Sequence, residues 1–253
     1  MREVLAVVYR EYLIRRTSPT WLFFDLAVPL LYLLMFGVAF DKALGQGLQV
    51  SGKTIAYNAF FLSGVLSMSC FGSGMNQSYG FFVDRDNGIF YEFLTYPMTR
   101  SQFLLGKILF QCSMAVVQCI LTIATGTLLL HIAIHWQFLL LVLIGMTIGT
   151  AGWFFFLAII AFRIRRNDAY NTVINVTYFV LMFLSSTFYP LDRVPAWLSA
   201  LAWLNPLTWH TDVLRFLTIG VGTLSTVILE VIGFGLFLLL SFWYAVRTLQ
   251  RAV

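Results

Sequence analysis

Residues 84–107 read DRDNGIFYEFLTYPMTRSQFLLGK, a charged, proline-containing island between two apolar runs. The runs on either side, 57–83 and 103–130, are each long enough to cross a bilayer, which takes about 20 mainly apolar residues. Charge is expensive in hydrocarbon, so this island belongs in water or against a partner. Its position relative to the membrane therefore decides how the whole chain is arranged.

Outward from the island, the chain is 60% hydrophobic and only 11% charged, with a mean hydropathy of +0.84. Ordinary globular chains carry about 25% charged residues. A soluble core cannot hide so much apolar surface, and the bilayer is the natural solvent. No hydrophilic segment is long enough for a separate soluble domain, so residues 1–253 read as a single transmembrane domain. Six spans are predicted near 21–40, 57–83, 103–130, 138–162, 170–189 and 224–246. Residues 108–162 contain no Lys, Arg, Asp or Glu and are too long for one crossing. The break is placed at 131–137, HIAIHWQ, whose His and Trp suit a turn at headgroup level.

Lys and Arg set the orientation. One side collects Arg2, Arg10, Arg15 and Arg16; Arg85, Arg100 and Lys107; Arg163, Arg165 and Arg166; and Arg247 and Arg251, twelve of the 16 basic residues. The other side holds Lys42, Lys53, Arg193 and Arg215. The excess of positive charge marks the cytoplasmic face, which places both termini and the 84–107 island there. The net charge of +5 then sits at a lipid surface, and no nucleic-acid partner is needed to explain it.

The first twenty residues, MREVLAVVYREYLIRRTSPT, lack an uninterrupted apolar stretch and a small-residue cleavage site, and so do not read as a signal peptide. As a helix they put Leu5, Val8, Tyr9 and Tyr12 on one face and Glu3, Arg10, Glu11 and Arg15 opposite, with Val4, Val7 and Ile14 breaking the pattern. A helix lying in the membrane interface is the expected structure, with a short solvated helix as the alternative.

Several motifs suggest chemistry and fail on context. Residues 47–54, GLQVSGKT, match the phosphate-loop pattern G-x-x-x-x-G-K-[ST], which needs an α/β nucleotide domain around it. Here the pattern lies in a short external connection and reads as a flexible loop. His131 and His135 have the i, i+4 spacing of two metal ligands, but Asp and Glu are absent from that hairpin, and an interfacial pair beside Trp136 is the simpler reading. Cys70, Cys112 and Cys119 fall inside spans as packing residues. Cys112 and Cys119 are about 10 Å apart in helical rise and cannot bridge. His210, Asp212 and Ser199 lie near one another in sequence without forming a convincing nucleophilic set, so no catalytic residue and no metal site is assigned.

Polar residues inside the spans leave two readings open. Asp25 and Glu230 line a substrate path or a subunit contact, or else they have intramolecular partners, such as Arg215 for Glu230. The second span is rich in Ser, Gly, Asn and Gln, including Asn76. This serves close helix packing or a translocation path. Residues 189–216, YPLDRVPAWLSALAWLNPLTWHTDVLRF, are too broken by Pro190, Pro195 and Pro206 to span and too apolar to be a solvated loop. A short helix after Pro195 carrying Trp197, ended by Asn205-Pro206, makes a helical hairpin that dips into the outer leaflet. Interfacial anchoring by Trp is the competing account.

Taken together, these segments resemble the membrane subunit, or permease, of ABC-2 type exporters over essentially the whole chain. The cytoplasmic island is similar to the family pattern at Asp84-Arg85-Asp86, Gly88, Glu92, Pro97 and Leu105-Gly106-Lys107. The hairpin from Tyr189-Pro190 through Pro195-Ala196-Trp197 to Asn205-Pro206 resembles the family's re-entrant external segment, and the N-terminal stretch resembles its interface helix. The resemblance implies an all-α membrane protein with six transmembrane helices, an N-terminal amphipathic interface helix, a cytoplasmic coupling helix and a re-entrant hairpin before the last span. It implies an inner-membrane dimer, homomeric or heteromeric, docked on two copies of a separate ABC ATPase that binds ATP and Mg²⁺; no cofactor is expected on this chain. The coupling helix would fall in 84–97, with Phe90, Tyr91, Phe93 and Leu94 as docking face and Asp84, Arg85, Asp86 and Glu92 fixing register. Arg10, Glu11 and Arg15 would belong to the supporting interface helix. The substrate would be hydrophobic or amphipathic: a drug, lipid, glycolipid or lipid-linked saccharide. A secondary transporter would normally carry more mid-membrane ionisable groups, and a membrane enzyme a polar catalytic cluster.

Overall fold

In a computed structural model describing residues 2–50, 52–93 and 95–251, the chain is almost entirely helical. Helix α1 (Arg2–Thr17) is followed by α2 (Pro19–Leu44), which opens with proline in its first turn, where the missing N–H costs nothing. Strands β1 (Leu48–Val50) and β2 (Lys53–Ile55) pair antiparallel, Leu48 opposite Ile55. Then come α3 (Tyr57–Asp86), the short α4 (Ile89–Phe93) and α5 (Arg100–Leu129). A capping box starts α5: the Thr99 hydroxyl accepts from Gln102 N–H, and the Gln102 side chain accepts from Thr99 N–H. After α5 the chain reverses at His131, whose φ of 53° lies in the left-handed region. Helices α6 (Leu139–Arg163), α7 (Asn167–Phe183), α8 (Ala196–Trp203), α9 (Pro206–Ile219) and α10 (Leu224–Arg251) complete the chain.

Helix α3 is the axis of the bundle. It packs against α2, α5, α6 and α9, and every residue from 60 to 71 is buried. Its small residues permit this. A methyl group on Gly74 would sit 2.8 Å from the Phe154 amide nitrogen, closer than real side chains come. Close packing therefore accounts for much of the polar, small composition of this segment.

Four helical stretches among the described residues are long and apolar enough to cross a membrane: Leu22–Leu44, Arg100–Leu129, Trp136–Arg163 and Leu224–Leu249. Helix α3 is long enough but more polar. The expected span at 170–189 is a shorter helix ending at Phe183. Beyond it the buried Ser185, Ser186 and Thr187 turn the chain, Ser185 donating to the Met182 carbonyl at 2.6 Å.

The phosphate-loop look-alike at 47–54 is neither a nucleotide cradle nor a flexible loop. It forms the β1–β2 ribbon, with Ser51 outside the described residues, and Leu48 and Val50 pack into a core with Tyr57, Phe60 and Phe61. The three cysteines are free.

Candidate functional site

The Asp84–Arg85–Asp86 run ends α3, and adjacent helical residues point about 100° apart, so each meets different neighbours. Asp84 turns inward. Its carboxylate accepts from both terminal nitrogens of Arg10, at 2.6 and 3.1 Å, a two-point fork that reaches 74 residues back along the chain. Lys107 of α5, only 1% exposed, completes the cluster with its Nζ 2.6 Å from Asp84 and 2.7 Å from Glu11. Gln77 donates to the other Glu11 oxygen at 3.1 Å.

Two acids and two bases thus form a neutral, buried network joining α1, α3 and α5. Burial pushes the Asp84 carboxyl up, but Lys107 and Arg10 outweigh it and hold the group below the ordinary carboxylate range. Burial also opposes the Arg10 charge, yet Asp84 and Glu11 more than offset that and raise its pKa. Gly106 lets α1 lie this close to α5, since a methyl group there would stand 2.6 Å from Val7 Cβ.

Arg85 turns to the opposite side and caps the end of α6. Its guanidinium donates to the carbonyls of Ala161, Phe162 and Ile164 at 2.6–2.7 Å, where the helix dipole is negative, and it lies over the Phe82 ring. Burial lowers its pKa. Asp86 remains exposed.

Gly88, at φ 77°, makes the turn into α4, where the docking face expected from the sequence divides. Phe90 is 1% exposed and packs edge-on to Phe81, Phe103 and Phe162, so it belongs to the core and not to a docking surface. Phe93 is half-buried against Phe103 and beneath Arg10. Leu94 lies outside the described residues. Tyr91, Glu92, Tyr96 (62% exposed) and Pro97 remain on the surface. Between Glu92, Tyr96 and Pro97 and the α1 residues Arg2, Ala6 and Arg10 runs a groove of about 720 Å³, which Ile89 and Met98 also line.

The intramembrane polar residues fall into two places. Asp25 is held at both oxygens, by Arg15 at 2.8 Å and Asn76 at 2.7 Å, beside a cavity of about 260 Å³ between α2 and α3 that Tyr32, Met68 and Tyr178 help line. Glu230 lies far along the chain on α10. Arg215, one of the partners the sequence left open for Glu230, makes its direct bonds elsewhere: it bonds Asp212, one turn away on α9, and donates to the Ser186 carbonyl at 2.7 Å.

The hairpin residues take defined roles. Pro190 precedes a single turn at Leu191–Arg193, and Pro195 precedes α8, which turns Trp197 outward. Asn205 does two jobs. Its carbonyl oxygen accepts from Leu207 N–H to start α9, ahead of Pro206, while its amide donates to the Leu181 and Leu184 carbonyls at the end of α7. The second role was invisible in sequence. So was His210, which bridges Ser67 of α3 and the Gly145 carbonyl of α6.

An apolar helical bundle with a charge-clamped connecting element and a capped hairpin is thus assembled from the segments that carried the resemblance. Residues 2–219 match the sequence profile of the ABC-2 type transporter. The chain belongs to the ABC-2 type transporter family. It is 28% identical over 225 residues to a protein bearing the name transport permease ycf38 in Cyanophora paradoxa, covering 86% of this chain and 74% of that one. A protein of the same name in Porphyra purpurea is 24% identical over 220 residues, with the same coverage. The daunorubicin resistance ABC transporter permease protein DrrB1 of Streptomyces coeruleorubidus is 24% identical over 223 residues, 85% of this chain and 75% of that one. As an ABC-2 permease, the chain is a multi-pass membrane protein with a role in transport, and the family in general works with an ABC ATPase.

Proposed function

We propose that the chain is the membrane subunit of an ATP-driven exporter in the cell's inner membrane, acting as a dimer on two copies of a separate ATPase that binds ATP and Mg²⁺. In this reading α2, α3, α5, α6, α7 and α10 make six crossings, both termini are cytoplasmic, and α8–α9 form a re-entrant external hairpin. The exposed Asp86, Tyr91, Glu92, Tyr96 and Pro97, with the groove beside α1, would seat the ATPase. The substrate would be hydrophobic or amphipathic.

One observation carries this reading: the exposed α4 is rigidly tied to the bundle. Phe90 is wedged among rings from α3, α5 and α6, and the Arg10–Asp84–Lys107–Glu11 network locks α1 to α3 and α5 beside it. A push on α4 would therefore move helices and not merely deform a loop. Co-purification with the ATPase encoded nearest this gene tests the idea, with ATP turnover as readout. Glu92→Ala and Tyr91→Ala should weaken ATPase capture and stimulation at least several-fold while the permease stays folded. An ATPase that neither binds nor responds to these variants would refute the reading.

A further inference from the structure

At the far end of the bundle from the Arg10–Asp84 network, α9, α10 and the turn after α7 enclose a cavity of about 230 Å³. Its lining carries three carboxylates, Asp192, Asp212 and Glu230, against one guanidinium, Arg215. Apolar walls come from Val50, Phe60, Trp203 and Val227 among others. Asp212 is already engaged by Arg215 and by the Ser186 hydroxyl at 2.7 Å. Arg215 also lies over the Phe60 ring, 3.8 Å from its centre.

What remains is a set of buried polar atoms without direct hydrogen-bond partners among the described residues. Glu230 is only 4% exposed, yet its Oε2 has no hydrogen-bond partner. Arg215 is equally buried, and its Nε–H is unpaired. Buried polar atoms are nearly always satisfied, and these two residues, each with one unpartnered polar atom, both line the same cavity, which suits a group of complementary chemistry. That group needs a cationic N–H donor for Glu230 and, adjacent to it, an oxygen acceptor for Arg215. A compact metal ion does not suit: no three His, Cys, Asp or Glu converge on a point among the described residues. The carboxylates are dispersed around a partly apolar hollow, which matches an ammonium group on a carbon skeleton. The hollow is smaller than the roughly 300–1,000 Å³ of pockets that hold whole drug-sized ligands, so it takes a headgroup while the tail extends elsewhere.

We infer that Glu230, Asp192 and Arg215 form a recognition site for the protonated amine, with neighbouring oxygen, of an amphipathic molecule. This deepens the transport reading and rests on it for the cavity's external position. The same chemistry is offered by a small amphipathic amino alcohol and by the ethanolamine headgroup of a lipid.

The test uses the full chain in phosphatidylcholine nanodiscs, whose trimethylammonium heads donate no N–H, with empty discs as background. Octylamine, 2-amino-1-octanol and octan-1-ol are titrated by equilibrium dialysis. The amino alcohol should bind tightest and octan-1-ol weakest. Glu230→Gln, which keeps shape and removes charge, should weaken both amines about tenfold, the low end for a charge-assisted hydrogen bond. The exposed Asp192→Asn, which threatens folding least, should weaken them about threefold. Phosphatidylethanolamine is then added: displacement of the amino alcohol, with retention of that lipid in native mass spectra, identifies a lipid source for the headgroup. No displacement identifies a free solute. The inference is overturned if octan-1-ol binds as well as octylamine. It is equally overturned if both variants bind like the parent chain, which would leave only an internal Glu230–Arg215 relation. The assay contains no ATPase, so its failure leaves the coupling proposal standing, and failure of coupling leaves this site standing.

Discussion

Two buried ionic clusters mark the two ends of this bundle, and they are built on opposite principles. At one end Arg10, Asp84, Lys107 and Glu11 match charge for charge and share short contacts. At the other, Arg215 serves Asp212 and Ser186 while Glu230 keeps an unused oxygen beside a cavity. The first is closed, and its use lies in holding three helices in one register. The second is left incomplete, and its use lies in what it can accept. Buried ion pairs are weak evidence of stability in themselves, because desolvation consumes most of the Coulomb gain. Their informative property is how the molecule responds when one member is removed.

The largest expected effect comes from Lys107→Met. It leaves two buried carboxylates to share Arg10, one negative charge in surplus, and should cost about 3–5 kcal/mol, read from thermal or denaturant unfolding in detergent. Adding Glu11→Gln should recover part of that loss, because the surplus charge disappears. A loss below about 1 kcal/mol for Lys107→Met would erase the distinction between the two ends.

Asn205→Asp comes next. It keeps the oxygen that starts α9 but discards the donors to Leu181 and Leu184, and should cost about 2 kcal/mol. Because the hairpin forms part of the open end, hydrogen exchange should quicken there and not in α1. Uniform quickening would mean that the ends are not separate.

Glu230→Gln should change stability by about 1 kcal/mol or less, in either direction, since a buried charge with no direct ion pair among the described residues is being neutralised. A loss comparable to that of Lys107→Met would show Glu230 to be internally paired after all.

The smallest effect is on pH. The folded-state pKa of Asp84 is depressed, so its contribution is complete above the ordinary carboxylate value of about 3.9 and disappears as pH falls through the lower folded value. Hydrogen exchange in α1 should therefore be constant from about pH 5 to 8, after correction for intrinsic rates, and rise only in stronger acid. Asp84→Asn should remove that acid transition. Loosening of α1 between pH 5 and 7 would contradict the closed network.

Much of the helical arrangement was legible in sequence because apolar length and helix-breaking residues are properties of single segments. The break at 131–137, the helix after Pro195 and an N-terminal helix with Leu5, Tyr9 and Tyr12 exposed all follow from local pattern. What could not be read was which charges meet. Arg10 and Asp84 are 74 residues apart, and Lys107 reaches Glu11 across 96. Nothing local distinguishes a charge kept out of lipid from one locked in a network. Phe90 and Tyr91 illustrate the same limit: adjacent aromatics of equal apolar character, one wedged in the core and one outside, separated only by helical rotation and by where Phe81 and Phe103 happen to stand. The β1–β2 ribbon was missed for another reason. Its Gly and Ser content signals a turn, while the pairing of Leu48 with Ile55 depends on the core it covers.

The helix at the centre of the bundle has a consequence for how the protein is made. Helix α3 packs against α2, α5, α6 and α9 yet falls outside the four stretches apolar enough to hold a bilayer position by composition. Its serines, glycines, Asn76 and Gln77 suit protein surroundings, and lipid alone offers them little. During synthesis α2 emerges first and can lodge independently, but α3 acquires much of its environment only when α5, α6 and α9 arrive. In the six-crossing reading, the residence of α3 in the membrane therefore depends on helices that are made after it.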